Sequence, residues 1–277
     1  MGPPSFVNFY ATVIDYRPLN WKLWIESKGW MVMCKVVKRG SSQKDEIEFH
    51  DKSRQKLYQA AQDLYYLLNQ GYHIKGASTF VGNHYLLSAR QRLALVRATS
   101  SKDDILNRKK KEIVDISEGS TVNIDGLNTI ITLEVALSDS LLLKCMDGTF
   151  RDLAGLRGTY RLIDKTQTAI LLLGEVLEEF KVGKVTFYLD APVSNSGKLK
   201  ERLLELLKGY SFDLQVENIT SVDSVLETLD HVVTSDAIIL DRCKSWINLN
   251  SRIIESKLRN ASFVDFSFPI YYGRKSI

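Results

Sequence analysis

The chain has 277 residues, 44% of them hydrophobic, and a formal charge of +4, so it can bury one large core or two smaller ones. Three widely spaced cysteines, with no C-x-x-C pair and no histidine at ligand spacing, argue against a disulfide framework and a structural zinc site. No apolar stretch is long enough to cross a bilayer and no leader resembles a signal peptide, so we expect a soluble, cytoplasmic protein without a membrane partner.

Residues 1–52 are the least regular part of the sequence and are interpreted as an N-terminal extension. Prolines interrupt it at three positions, and the stretch at 40–45 is typical of a turn. No function is assigned to this segment.

Residues 53–118 are predicted to form a small helical domain that ends in a charged connector. Apolar residues recur at intervals of three and four from 57 to 68, which indicates a helix that Gly71 ends. A second helix is expected at 74–81, and Ser88 is a suitable N-cap for a third. A domain of this size is small for independent stability, so we expect it to lean on its neighbour.

This first part of the chain is also the more basic one. Residues 1–118 hold 19 Lys/Arg against 12 Asp/Glu, whereas residues 119–277 hold 18 against 21. An excess of positive charge suits contact with the phosphates of a nucleic acid, although ordinary solvated surfaces and linkers show the same pattern. The candidate contacts here are Arg90, Arg92, Lys109 and Lys110.

After Gly119, strands and helices alternate, which predicts an α/β fold with a mainly parallel sheet flanked by helices. Residues 119–277 are therefore interpreted as an α/β domain. The expected strands are 121–125, 141–145, 184–189, 212–216 and 232–233, and the expected helices are 128–137, 166–180, 198–207 and 222–229.

Three of these apolar runs end on an aspartate, namely Asp125, Asp190 and Asp236. Because the carboxyl ends of parallel strands share one edge of the sheet, we expect the three carboxylates to collect there. Such a cluster is costly unless a cation, a shared proton or a substrate compensates the repulsion. Oxygen ligands without a nearby histidine or thiolate favour Mg²⁺ or Mn²⁺ over zinc. Each aspartate alone is equally typical of a turn or a helix N-cap.

Further residues are candidates for the same site. Asp241 is interpreted as a fourth carboxylate or a contact behind the ligands, and Asn128 as either a ligand or a helix cap. Arg151, Arg157 and Arg161, interspersed with glycines, are candidate contacts to a nucleic-acid backbone.

Several alternative sites are excluded by their missing motifs. The sequence has no G-x-G-x-x-G after a strand, no G-x-S-x-G and no H-E-x-x-H. The stretch at 194–198 lacks the leading glycine and the hydroxyl after lysine of a Walker loop. A dehalogenase-type phosphatase would require a second aspartate where Leu127 stands, and the D-x-D of a Toprim site is absent at 190–192.

The segments I-D-G-L-N at 124–128, F-Y-L-D-A-P at 187–192 and V-T-S-D at 233–236 resemble the PIN and NYN branch of metal-dependent nucleases. The resemblance covers roughly residues 119–243. It implies that Asp125, Asp190 and Asp236 are metal ligands, with Asn128 and Ser235 beside them. PIN enzymes usually carry a further acid on the helical segment between the first two ligands, and Glu134 lies early for that position.

A wider resemblance covers residues 53–277. Together with D-L-Y-Y-L-L-N-Q-G-Y at 63–72, F-V-G-N at 80–83 and L-S-A-R at 87–90, this part of the chain is similar to a largely archaeal family described only as a domain of unknown function, DUF 434. No activity can be inferred from that resemblance.

The leading expectation is therefore a nuclease that uses Mg²⁺ or Mn²⁺ to hydrolyse phosphodiester bonds. The resemblance favours RNA over DNA, and a homo-oligomer is compatible with the sequence. Two alternatives stay open: a catalytically inert RNA-binding or regulatory protein with the same fold, and a small-molecule phosphohydrolase.

Overall fold

Residues 37–155 and 158–267 are described by the structure, which is a computed structural model, and they belong to one compact unit. Of the predicted N-terminal extension, residues 1–36 lie outside these ranges. The helical part of the described chain consists of α1 (Asp45–Glu48), α2 (Asp51–Asn69), α3 (Ile74–His84), α4 (Ala89–Ala98) and α5 (Lys102–Lys111).

Capping residues set where two of these helices begin. Ser88 accepts a hydrogen bond from the backbone N–H of Gln91 at the start of α4, and the Gln91 side chain returns the bond. Ser101 and Asp104 form the same reciprocal cap at the start of α5. The stretch that we expected to be a charged connector is therefore a helix, with acidic residues in its first turn and basic residues in its last, as the helix dipole favours.

The remainder of the chain alternates strands and helices, as predicted. Its elements are β1 (Thr121–Asp125), α6 (Gly126–Leu137), β2 (Leu142–Lys144), β3 (Phe150–Asp152), α7 (Asp164–Glu179), β4 (Lys184–Asp190), α8 (Ser196–Leu206), β5 (Asp213–Ile219), α9 (Val222–Leu226), β6 (Val232–Val233), α10 (Ala237–Arg242), α11 (Leu249–Lys257) and β7 (Phe263–Asp265). In the described ranges, four strands form one sheet in the order β5-β4-β1-β6, and all of its pairs are parallel. This confirms the α/β fold class.

The predicted strand near 141–145 does not join that sheet. As β2, it pairs antiparallel with β3 and parallel with β7 in a separate sheet of the described chain. The helical region packs on this small sheet, since Leu57 and Leu95 share one buried cluster with Leu143 and Val264. The prediction that the helices lean on the rest of the chain is thereby borne out by a shared core.

Apolar residues on one face of the main sheet form most of its core. Val122, Ile124 and Phe187 lie on that face, are fully buried and contribute to the largest core of the described chain, which α6, α7 and α8 cover. A smaller cluster around Trp246 joins α9 and α10 to β6. Within the described ranges, each helix is too short or too polar to span a bilayer.

Candidate metal centre

The main sheet brings the three predicted aspartates to its carboxyl edge. Asp125 and Asp190 are the last residues of the neighbouring strands β1 and β4, and Asp236 follows β6 on the other side of β1. Gly126 allows the close approach of α6 to β4 at this point, because a Cβ there would lie 2.6 Å from Leu189 Cδ2 and 3.1 Å from the Tyr188 carbonyl oxygen.

Two of the three aspartates also cap helices, so the alternative interpretation of these positions holds as well. Asp125 Oδ1 accepts from the Asn128 backbone N–H at the start of α6, at 3.3 Å. Asp236 Oδ1 accepts from the Ile238 and Ile239 backbone N–H groups at the start of α10, at 2.8 and 3.4 Å. In each case the cap uses a single carboxylate oxygen, which is compatible with a second role for the side chain.

Asp125 is the most perturbed acid of the group. It is 6% exposed, and burial raises its pKa to about 7. Hydrogen bonds from Thr234 Oγ1, at 2.9 Å, and from the Asn128 backbone oppose that rise, whereas the charges of Asp190 and Asp236 add to it. Among the described residues, Asp125 makes no salt bridge with Lys or Arg, so its charge has no protein cation to compensate it.

A fourth carboxylate, Asp223 in the first turn of α9, was missed by the sequence analysis. Burial raises its pKa, and the charge of Asp236 raises it further. The pKa of Asp190 is raised first by burial and then by the charge of Asp223. Asp223 therefore lies close enough to both Asp190 and Asp236 to interact with them. The available signal was an acid four residues after β5, the strand that neighbours β4, but a five-residue helix has too short a pattern to be placed from sequence.

Asn128 organises the turn that carries Asp236. Its Oδ1 accepts from the Ser235 backbone N–H and from Ser235 Oγ, both at 2.9 Å. Thr234 Oγ1 in turn accepts from the Asp236 backbone N–H at 3.1 Å. Asn128 and Ser235 therefore lie at the site. They contact each other, and Ser235 directly precedes the candidate ligand Asp236.

Two other acids are engaged elsewhere. Asp241, predicted as a fourth carboxylate, binds Arg108 through both of its oxygens, at 2.6 and 3.0 Å. Glu134 is fully buried among Tyr160, Thr166 and Arg39, with 2.7 Å between the Tyr160 hydroxyl and Glu134 Oε1. Neither side chain joins the group at the sheet edge, because each is already engaged in an ion pair with an arginine.

Three of the arginines predicted to bind nucleic acid have structural roles instead. Arg90 holds Asp45 and donates to the Gly40 and Leu153 carbonyls. Arg92 donates to the Leu87 and Gly82 carbonyls, at 2.9 and 2.7 Å. The Gly40, Leu153 and Leu87 carbonyls lie outside helices and strands, and the Gly82 carbonyl lies in the last turn of α3, so each guanidinium contacts backbone groups at the ends of elements.

Arg151, the third of them, is 7% exposed and binds Asp147 and the Ser235 carbonyl, so it cannot face a nucleic acid. Lys109 is 67% exposed with an ion pair to Glu112, and Lys110 and Arg161 are exposed. Arg157 lies outside the described residues. Fewer of the predicted basic side chains are therefore exposed to a polyanion than the sequence suggested.

The donor set at the sheet edge fits a hard divalent cation. All the candidate ligands are oxygens, and within residues 37–155 and 158–267 no Lys or Arg pairs with the buried Asp125 carboxylate. In the described ranges, no three His, Cys, Asp or Glu side chains converge closely enough to enclose an ion directly. Mg²⁺ commonly keeps several waters and binds through one or two carboxylates, so Asp125 with Asp190 or Asp236 would suffice and the other acids would act through water.

The raised pKa of Asp125 predicts a pH-dependent metal affinity. Because the pKa is about 7, a metal that binds this carboxylate must displace its proton at lower pH. We expect the Mn²⁺ affinity to rise about tenfold per pH unit up to pH 7 and then to level off. Titration with Mn²⁺ between pH 5.5 and 8.5 tests this, and an affinity that is flat across that range would contradict it.

Comparison with known proteins shows the family to which this chain belongs. Residues 56–111 match the family "Protein of unknown function (DUF434)", and residues 114–252 match "Domain of unknown function (DUF5616)". The chain is 35% identical over 203 residues to the uncharacterized protein MJ0935 of Methanocaldococcus jannaschii, covering 72% of this chain and 97% of that one. No solved structure matches. The chain therefore belongs to the family of proteins that carry the DUF434 and DUF5616 domains, with the aspartates Asp125, Asp190 and Asp236 all within the second of them.

Proposed function

We propose that this protein is a divalent-metal-dependent nuclease that hydrolyses phosphodiester bonds, with RNA as the favoured substrate. The observation that carries the proposal is the buried Asp125 carboxylate, which has the charges of Asp190 and Asp236 beside it and no pairing Lys or Arg among the residues that the structure describes. Clustered, buried carboxylates destabilise the fold, and a bound cation offsets this destabilisation. The sequence resemblance to PIN and NYN nucleases supports the same reaction.

Asp125, Asp190 and Asp236 would hold Mg²⁺ or Mn²⁺, with Asp223 reaching the ion or its waters. A bound ion would supply Lewis-acid activation of water and stabilisation of the leaving oxygen. The contribution of the chain itself is positional. Asn128 fixes the Ser235 backbone and side chain, and Thr234 holds both Asp125 Oδ2 and the Asp236 backbone N–H.

Helix α8 supports the binding of a phosphate at the same edge. It begins six residues after Asp190, and its first turn contains Gly197 and Lys198, both exposed. The free N–H groups and the positive dipole end of a helix favour an anion, and an exposed lysine adds charge. A backbone phosphate that approaches the acids would therefore meet a favourable partner beside them.

One observation favours a second candidate function, a catalytically inert RNA-binding or regulatory protein. The carboxylates of the described chain do not converge into a closed three-ligand site. A protein that kept this fold without turnover would bind RNA and leave it intact. The buried Asp125 would then be neutral below its pKa of about 7 and would serve only to cap α6.

A cytoplasmic location is part of the proposal. In the described ranges Cys145 and Cys243 are free and buried. Thiols that stay unpaired are typical of a reducing compartment.

The experiment that tests the proposal is cleavage of end-labelled single-stranded RNA, hairpin RNA and single-stranded DNA in Mn²⁺, in Mg²⁺ and in EDTA. We expect cutting of RNA in either metal and none in EDTA. Intact RNA that is nevertheless bound, with an affinity that falls steeply with salt, would favour the inert protein. Turnover of nucleotides or phosphate esters without cleavage of any polymer would favour a phosphohydrolase.

A further inference from the structure

A buried chain of ionic groups connects the helical region to the candidate metal centre. Arg108 on α5 is 3% exposed and lies 2.6 Å from Asp147 Oδ2, while Arg151 on β3 binds the same oxygen from the other side. Burial would raise the pKa of Asp147, but the charges of Arg151 and Arg108 outweigh burial and lower it. All three groups are therefore charged in the folded protein.

One end of this chain holds the turn that precedes Asp236. Arg151 Nε donates to the Ser235 carbonyl oxygen at 2.6 Å, while the Ser235 N–H and hydroxyl are held by Asn128. The peptide groups on both sides of Ser235 are thus fixed by side chains from β3 and α6. Directional bonds of this kind set the orientation of the carboxylate that follows.

The other end of the chain holds the far end of the same helix. Arg108 binds both oxygens of Asp241, which lies in the last turn of α10, while Asp236 caps the first turn. Helix α10 has six residues, so its own hydrogen bonds fix its orientation only weakly. Because Arg151 holds the turn before α10 and Arg108 holds its last turn, the Asp236 side chain has little conformational freedom.

A buried ion pair is a weak source of stability, because desolvation offsets the attraction and apolar groups of similar size do as well. The directions of the bonds are what distinguish this network from an apolar core. A planar guanidinium can join a carboxylate and a carbonyl in a fixed geometry, which lysine cannot do.

We infer that Arg108 and Arg151 are positioning residues that set Asp236 relative to Asp125 and thereby make the DUF434 helices part of the metal centre. The inference rests on the proposed function. On this inference, the contact between the two family domains contributes to metal affinity as well as to folding.

The test uses Mn²⁺ itself as the probe, with free Mn²⁺ measured by electron paramagnetic resonance on the full-length protein. In Arg151→Lys we expect the Mn²⁺ dissociation constant to rise about 10- to 100-fold, the effect typical of residues that orient metal ligands. The matched control is Arg92→Lys, which loses guanidinium bonds to two carbonyls in the helical region and is expected to bind Mn²⁺ like the wild type.

A second variant keeps the test sound if Arg151→Lys does not fold. Asp241 is 39% exposed, so Asp241→Asn is expected to fold and to weaken Mn²⁺ binding in the same direction. Dissociation constants within twofold of the wild type in the folded variants would overturn the inference, as would an equal loss in Arg92→Lys. A wild-type protein that binds no Mn²⁺ would defeat the proposed function, which is a different outcome from equal binding by all variants.

Discussion

Replacing Asp125 with asparagine is expected to abolish metal-dependent cleavage and, in metal-free buffer at pH 8, to raise the melting temperature. Removal of one group that supports developing charge typically costs about 10²–10³-fold in rate. The same change removes a buried carboxylate that has no ion-pair partner in the described part of the chain, and the asparagine amide can still bond with Thr234 and with the start of α6.

The pH dependence of that stabilisation follows from the direction of the shift. The folded protein holds the Asp125 proton up to about pH 7, whereas an unfolded chain releases it near 3.8. Between these values the folded state binds more protons, so Asp125 lowers the stability of the protein progressively as the pH rises. Asparagine carries no such cost at any pH.

Thermal unfolding in EDTA at pH 5 and pH 8 measures this directly. We expect Asp125→Asn to melt at least about 3 °C above the wild type at pH 8 and by a clearly smaller margin at pH 5. A variant that melts below the wild type at pH 8 would show that Asp125 stabilises the metal-free fold, which contradicts the account of an uncompensated buried charge.

The largest expected loss of stability comes from Trp246→Ala. Trp246 is fully buried, its indole Nε1 donates to the Arg108 carbonyl at 2.7 Å, and its backbone pairs with Lys111 and Ile113. Truncating a buried tryptophan typically costs about 3–5 kcal/mol, because transfer energy is lost and a cavity remains. The cavity would open beneath α9 and α10, which carry Asp223 and Asp236.

Denaturant unfolding of Trp246→Ala and Trp246→Phe separates packing from hydrogen bonding. The phenylalanine variant keeps most of the buried area and leaves one carbonyl without its donor, so we expect a loss of about 1–2 kcal/mol. If the alanine variant lost less than the phenylalanine variant, the cluster around Trp246 would not be a packed core.

The fold and the placement of three aspartates at one edge of the main sheet were predictable because they depend on local patterns. Asp125 and Asp190 end apolar runs of strand length, and parallel pairing places such ends together without any knowledge of the side-chain contacts. Ser88 was recognised as a cap because its role depends only on residues within one helical turn.

The remaining residues depend on tertiary contacts that a sequence does not reveal. Arg151 was interpreted as a candidate contact to a nucleic-acid backbone, yet it lies buried on β3 in a small sheet that β7, more than 100 residues later, completes. Asp241 was assigned to the site from its short separation from Asp236, but one and a half helical turns direct it to Arg108. Asp223 approaches Asp190 only because β5 lies beside β4.

If the acids at the carboxyl edge of the main sheet form a metal-dependent cleavage site, replacing one of them must reduce cleavage. We would compare cleavage of single-stranded RNA in Mn²⁺ by the wild type, Asp190→Asn and Asp213→Asn. Asp213 is an exposed aspartate at the amino end of β5, on the opposite edge of the same sheet, so its replacement is a matched control. We predict cleavage by the wild type and Asp213→Asn and a loss of about 10²–10³-fold in Asp190→Asn. Equal cleavage by all three proteins, or none by any of them, would contradict the claim.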